Sequence, residues 1–237
     1  MKKNNLNYQI VVPFYNDFEN FKEFIEIIKN INIKEKIFLL VDNGSSSNEL
    51  VEYSKHNKHQ ESCWKLIRSE KNLGFGGGVK YGASFVEKDY VAWMPGNLKL
   101  NPHDVFIFLE KFQIKEQDFL LKAKRVERPL MDRLKTIIFG LIVSPFIKFN
   151  MMDSGGTPNL VNKSFFNTSG IPNDFSFDVF VLFYFKFNKL PIYRPNIIYR
   201  KRMHGKSHWQ NSLSAEIDLT LNVIKSKNDW IKNSSKS

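Results

Sequence analysis

The chain has 237 residues, 42% of them hydrophobic, 22 phenylalanines and a formal net charge of +11 at neutral pH. That length and apolar content suit one α/β domain and exclude a low-complexity or disordered protein. The basic excess favours anionic partners, whether nucleotides, nucleic acid or a membrane surface, without choosing among them. A lone Cys63 excludes an intramolecular disulfide, and no apolar run before Pro13 resembles a signal peptide, so a reducing cytoplasm is the expected setting.

Tyr8 to Pro13 reads as a first strand that ends in the turn Phe14-Tyr15-Asn16-Asp17. Phe18, Phe21, Ile25 and Ile28 then recur at helical spacing, with Asn16 or Asp17 available to cap the free amides. Ile37 to Val41 is an apolar run too short for a helix, which predicts a buried strand of a parallel sheet. Asp42-Asn43-Gly44 follows as a polar turn on its carboxyl edge, where open α/β sheets bind ligands. The same Asp-Asn-Gly-Ser-Ser-Ser stretch also serves as an ordinary chain break and helix cap. A helix from about Asn48 to His56, a strand from Trp64 to Ile67, a glycine-rich stretch from Asn72 to Ala83 and a strand from Tyr90 to Met94 come next. Pro102 opens a further helix. Strands and helices alternating through short links predict a doubly wound, Rossmann-like and mostly parallel sheet.

Gly74, Gly76, Gly77 and Gly78 look like a dinucleotide fingerprint, but that motif belongs after the first strand and this one follows the third. A Rossmann dinucleotide site is therefore rejected. The glycines either let backbone approach a ligand at a helix amino end or let a helix pack closely on its neighbours.

A fifth strand is expected near Phe119 to Ala123, beside the cations Lys122, Lys124, Arg125 and Arg128. From Pro129 to Val143, Leu130, Leu134, Ile137, Ile138 and Leu141 fall on one helical face, and a second short apolar piece runs from Pro145 to Met152. Neither reaches the roughly 20 apolar residues that cross a bilayer. The face fits a helix lying in a membrane interface and equally a helix packed on a core. Phe175 to Phe187 reads as an aromatic core helix, Pro191 to Tyr199 as a late strand, and Ser212 to Ile231 as an amphipathic helix before a frayed polar tail. His204 and His208 do not make a zinc site, because Gly205 interrupts any helix between them and no carboxylate accompanies them. Without zinc-finger spacing or an RNA-binding aromatic motif, the charge is read as attraction to phosphates and to a membrane surface, with no nucleic acid partner.

Four segments, taken in order, carry a resemblance. Val12-Pro-Phe-Tyr-Asn-Asp17, Val41-Asp-Asn-Gly-Ser45, Asn72-Leu-Gly-Phe-Gly with Gly82-Ala83, and Met94-Pro-Gly-Asn-Leu-Lys-Leu-Asn-Pro102 resemble the ordered motifs of a family 2 glycosyltransferase of the GT-A fold. The nearest type is the dolichol-phosphate or polyprenyl-phosphate mannosyltransferase. This implies an α/β, GT-A sheet flanked by helices in a single domain, with a nucleotide-sugar half over about 6–112 and an acceptor half with amphipathic helices over about 113–237. It also implies that Pro13, Tyr15 and Asp17 line the nucleotide pocket and that Asp42, Asn43 and Gly44 meet the base or ribose. The loop with Asn72, Gly74 and Gly78 would close over the nucleotide, and Asn97 would face the donor.

In that family the fourth strand ends in Asp-x-Asp, which holds a divalent cation against the donor diphosphate. Here Pro95 and Asn97 replace the aspartates and Lys99 stands where a glutamine often sits, a poor donor set for Mg²⁺ or Mn²⁺. No metal site is assigned, and Lys99 is expected to offset the leaving group's charge instead. Asp153 matches the aspartate that serves the acceptor oxygen, with Asp174 and Asp178 as substitutes, although an aspartate there can equally cap the Gly155-Gly156 turn. Asn159 falls where the family carries an arginine. Arg202-x-x-Gly205-x-Ser207 resembles the family's phosphate-closing loop, and Arg125 joins it as an acceptor-side cation.

The expected function is inverting transfer of a sugar from a nucleotide sugar to a lipid-linked acceptor such as polyprenyl phosphate. It would take place at the inner face of the membrane, with peripheral lipid contact and a membrane protein as further partners. Extension of a cell-surface glycan, or a catalytically silent sugar-nucleotide-binding subunit of a glycan assembly complex, are the alternatives.

Overall fold

The computed structural model describes residues 7–32, 37–56, 63–114, 116–200 and 213–234. Strands β1 (Tyr8–Phe14), β2 (Phe38–Asp42), β3 (Trp64–Arg68) and β4 (Tyr90–Trp93) are all parallel, linked by helices α1 (Phe18–Lys29), α2 (Glu49–His56) and α3 (Gly74–Ser84). Alternate residues of β1 face opposite ways. Ile10 and Val12 meet Phe21, Phe24 and Ile25 of α1, whereas Val11 meets Val79 and Ala83 of α3. A sheet covered on both faces explains why β2 is apolar throughout rather than alternating.

Beyond β4 come α4 (Pro102–Glu110), β5 (Leu120–Lys122), β6 (Lys124–Val126), α5 (Leu130–Ile147), β7 (Asn159–Asn162), α6 (Phe177–Phe187), β8 (Ile192–Tyr193), β9 (Asn196–Ile198) and α7 (Leu213–Ser234). The main sheet has the order β3-β2-β1-β4-β7-β5-β8, while β6 and β9 pair separately. β7 runs antiparallel to both its neighbours, β4 and β5. The chain moves outward from β1 through β2 to β3 and returns on the other side of β1 as β4. That reversal makes a crevice at the carboxyl ends of β1 and β4, where such sheets bind ligands.

The expected α/β class and mostly parallel sheet are borne out, and several local details differ. Asp17 sits at the α1 N-cap, yet its carboxylate accepts from Asn20 Nδ2 at 2.7 Å and caps no backbone amide. The single late strand is two, β8 in the main sheet and β9 in the small one, separated by Arg194-Pro195. The two apolar pieces around Pro145 are largely one helix, α5, which runs through Pro145 in its last turn at the loss of one i→i−4 bond. Asn159–Asn162, for which no strand was expected, is a sheet strand. α6 is core as expected, with Phe177, Phe180 and Phe183 fully buried and the Trp230 ring of α7 edge-on to Phe180 at 5.4 Å and tilted against Phe183 at 5.6 Å.

Candidate active site

The parallel strands end on one rim, with Phe14 level with Asp42 and Asp42 level with Arg68. Asp42 is fully buried; its Oδ1 accepts from Ser45 N at 3.0 Å, and its Oδ2 lies 3.4 Å from Arg68 Nε. Gly44 turns there with φ +72, and a β-carbon on it would fall 2.1 Å from the Lys71 carbonyl carbon, so the turn requires glycine. Asn43 ties the rim to the next loop. Its Nδ2 donates to Gly74 O at 3.0 Å, and its Oδ1 accepts from Leu73 N at 3.2 Å. Asn72 Oδ1 in turn accepts from Gly74 N at 2.8 Å.

Gly74 to Ser84 is helix rather than a closing loop, which corrects the expectation for the Asn72–Gly78 segment. Of the two uses left open for the glycines, close packing is evident: a β-carbon on Gly78 would touch Asn43 at 3.0 Å, and one on Gly82 would sit 2.3 Å from Val11 Cγ1. Pro13 lies within β1, Tyr15 is exposed just beyond it, and Asn16 N donates to Ser45 Oγ at 3.0 Å, which fastens the β1 turn to the β2 turn.

The loop after β4 packs against the same rim through Gly96, where a β-carbon would meet the Phe14 ring at 2.4 Å. Asn97 Oδ1 accepts from Lys99 N at 3.2 Å, so the amide in the second metal-ligand position supports its own turn. A divalent cation does not fit the residues present. Pro95, Asn97 and Lys99 supply no carboxylate, and no group of three metal-binding side chains occurs among the described residues.

Lys99 is nearly buried and joins the rim to a second cluster. Its Nζ lies 3.9 Å from Asp132 and 5.9 Å from the centre of the Tyr199 ring, and the Arg125 guanidinium stands 5.4 Å from that ring. Arg125 then grips Asp153, donating from Nε at 2.8 Å and Nη2 at 2.5 Å to Oδ1 and from its backbone N at 3.1 Å to Oδ2. Arg128 Nη1 lies 3.4 Å from the same Oδ1, and Arg194 donates to the Asp153 carbonyl at 3.0 Å while standing 3.6 Å from Oδ2. Asp153 itself has φ +50, an uncommon conformation for a residue other than glycine. Burial pulls Arg128 and Arg194 below the ordinary guanidinium range, and the neighbouring Arg125 charge adds to the effect at Arg128. Their Nε atoms are buried with no hydrogen-bond partner. Beside Arg128 opens a cavity of about 470 Å³ lined by Glu127, Arg128, Pro129, Ile198, Tyr199 and Arg200.

Beneath this cluster, Lys122 is fully buried and donates to Gly156 O and to Asn159 Oδ1, both at 3.0 Å. Asn159, in the position where an arginine was looked for, passes the contact on by donating to Asp178 Oδ1 at 3.1 Å, and Trp93 Nε1 donates to that oxygen at 3.0 Å. Burial pushes Lys122 down to about 8 and raises Asp178 above the usual carboxylate value. Of the substitute carboxylates, Asp178 is thus enclosed in a core network, and Asp174 accepts from Ser176 N at the start of α6. Lys99, Arg125 and Asp153 are brought together; Asp42, Asn43, Asn72 and Asn97 lie along the rim and hold its turns. Arg202, Gly205 and Ser207, with His204 and His208, lie outside the described residues. Arg194, Tyr199, Asp132 and Arg68 went unnoticed in the sequence. Arg194 lies far along the chain from Asp153 and carries no local motif, so only the fold announces it.

The model of glycosyl transferase family 2 matches residues 9–164. The chain belongs to this family. Among solved structures, this glycosyltransferase superposes on the glucosyl-3-phosphoglycerate synthase of Mycobacterium tuberculosis. In the complex of that enzyme with Mn²⁺, UDP and glucosyl-3-phosphoglycerate, the TM-score is 0.68 at 14% identity, over 97% of this chain and 81% of the other. In its complex with Mn²⁺, UDP-glucose and glycerol 3-phosphate the TM-score is 0.65 at 14% identity, covering 97% and 82%. In its complex with phosphoglyceric acid it is 0.69 at 14% identity, covering 97% and 81%. At that identity the likeness establishes the GT-A fold of the transferase. Among curated proteins, none matches the sequence. The mannosyltransferase subtype suggested by the motifs has no support from these likenesses.

Proposed function

We propose that this family 2 glycosyltransferase carries a sugar from a nucleoside-diphosphate donor, laid along the β1, β2 and β4 rim, to an acceptor phosphate bound by the arginine cluster. The observation that carries the reading is the imbalance of charge around Asp153. Arg125, Arg128 and Arg194 crowd one carboxylate, the Nε atoms of Arg128 and Arg194 are buried without partners, and Arg128 lines an open cavity. Guanidinium groups in excess of carboxylates, partly desolvated, favour a phosphate ligand strongly.

A phosphate oxygen arrives ionised and needs no general base. Attack on the anomeric carbon forms the new glycosidic bond as the bond to the nucleoside diphosphate breaks, inverting that centre. Asp153, already held by Arg125, orients the arginines rather than taking a proton. Lys99 offsets charge on the departing diphosphate, as its place between the β4 loop and the cluster allows. A polyprenyl phosphate is the acceptor the motifs suggest, and the phosphate-bearing small molecules bound by the solved neighbours share with it the anionic group that the arginines would hold.

The test is a transfer assay with the purified chain, a panel of nucleotide sugars, and polyprenyl phosphate, glycerol 3-phosphate or a neutral glycan as acceptor, with products read by mass. A glycosylated phosphate that disappears in Arg128→Ala and Arg194→Ala variants supports the reading. Transfer to the neutral glycan alone overturns it. Binding of a nucleotide sugar with no turnover on any acceptor points instead to a silent subunit.

A further inference from the structure

The face of α5 that the sequence marks as apolar turns away from the core. Leu130, Leu134, Ile138, Leu141, Ile142 and Phe146 are all exposed, Leu130 by 76% and Leu141 by 61%, while the helix touches the protein through Gly140, Val143 and Ile147. At 3.6 residues per turn the exposed positions fall in one arc. Gly140 makes the seat possible, because a β-carbon there would meet Met152 Sδ at 2.4 Å, next to Asp153. The arc does not end at the helix edge. α7 packs alongside, tied by Lys135 Nζ to Glu216 at 2.7 Å, and adds exposed Ile217 and Leu221. Scattered surface leucines are ordinary, whereas a contiguous apolar patch across two helices marks an interaction surface.

We propose that this α5–α7 face docks the protein on an anionic lipid bilayer. Charge decides between a bilayer and a second copy of the chain. No charged residue interrupts the helix between Lys135 and Lys148, and exposed Arg133 and Lys148 flank the apolar arc at either end. Of the acidic residues near it, Asp132 faces Lys99, Glu216 pairs with Lys135, and Asp218 lies exposed beside Ile217. Apolar centre and cationic margins match acyl chains beneath anionic headgroups, and a chain of net charge +11 is drawn to such a surface but repelled by its own copy. A helix of 18 residues, about 27 Å long, lies in the interface rather than through it. None of the described helices is long and apolar enough to cross a membrane.

Docking also sets a direction. Arg128 donates to Asp132 O and Thr136 Oγ1 in the first turns of α5, and Pro129 and exposed Ile198 line the mouth of the arginine cavity. With α5 on the bilayer, that mouth opens at headgroup level. This deepens the acceptor reading by making the phosphate one that is presented on a lipid surface, and it rests on that reading only for the cavity's role.

Vesicle flotation of the full chain tests the surface without depending on turnover. Wild type is expected to float with phosphatidylcholine–phosphatidylglycerol vesicles and weakly with phosphatidylcholine alone. A Leu134→Glu, Leu141→Glu double variant should lose at least about tenfold in partitioning, while Ile107→Glu on α4 binds as wild type. Circular dichroism melting checks that the variants are folded. Wild type left unbound by anionic vesicles, or a double variant that floats equally well, overturns the proposal. So does concentration-dependent dimerisation abolished by the double variant without vesicle binding. Vesicle binding with no transfer to any phosphate acceptor would defeat the acceptor reading and leave the docking surface standing.

Discussion

Replacing Lys122 by methionine removes an ammonium group that is completely enclosed beneath the Asp153 turn. In the folded chain burial lowers this lysine from 10.5 to about 8. Between those two values the unfolded chain holds a proton that the folded chain has released, so stability rises with pH through that window and is lowest below about 8. At about 1.4 kcal/mol per unit, the ammonium costs the folded state roughly 3 kcal/mol at neutral pH, most of it relieved by pH 10. The assay is urea denaturation of wild type and Lys122→Met at a series of pH values, taking the difference so that other titrating groups cancel. Wild type should gain on the variant steadily as pH rises through the window. The variant also leaves Gly156 O and Asn159 Oδ1 without their donor, which shifts the whole difference curve without changing its slope. Parallel stability curves would refute the reasoning and mean that Lys122 holds its proton as firmly in the fold as in the unfolded chain.

Arg125→Ala should lower kcat/KM roughly 100-fold, because Asp153 and the remaining arginines lose the group that fixes their geometry; transfer kinetics at wild-type values would contradict this. Gly82→Val should destabilise the fold by about 1–3 kcal/mol, since the added carbons must displace Val11, and an unchanged midpoint in thermal melting would count against the packing described. Activity should persist in excess EDTA, given the donor set at Pro95, Asn97 and Lys99; complete loss restored by Mn²⁺ would show that carboxylates from elsewhere assemble a site.

The first half of the fold was legible because each strand there is an apolar run bounded by polar turns, as at Phe38–Asp42, and α1 carries a clear helical period. β7 was not, because Asn159-Leu-Val-Asn162 is too short to show a period and takes its conformation from β4 and β5 on either side. The glycine segment was ambiguous for a physical reason: glycine serves ligand approach and helix packing alike, and only the positions of Val11 and Asn43 distinguish them. The residue types of the candidate site were legible at Lys99, Arg125 and Asp153. Their encirclement by Arg194, Tyr199 and Asp132 was not, since those contacts join segments remote in the chain. The apolar stripe on α5 was visible, while its outward orientation shows only in the fold, where Gly140, Val143 and Ile147 are the positions that turn inward.

The antiparallel strand β7 has a consequence for how the molecule is made. As the ribosome delivers the chain, the four parallel strands emerge first, and β4 stays an open hydrogen-bonding edge until Asn159–Asn162 has followed α5 out of the tunnel. The rim of β1, β2 and β4 is therefore backed only once β7 has paired, the arginine cluster waits further for Arg194 and Tyr199, and a nascent chain stalled before β7 carries a sticky margin in place of a finished half.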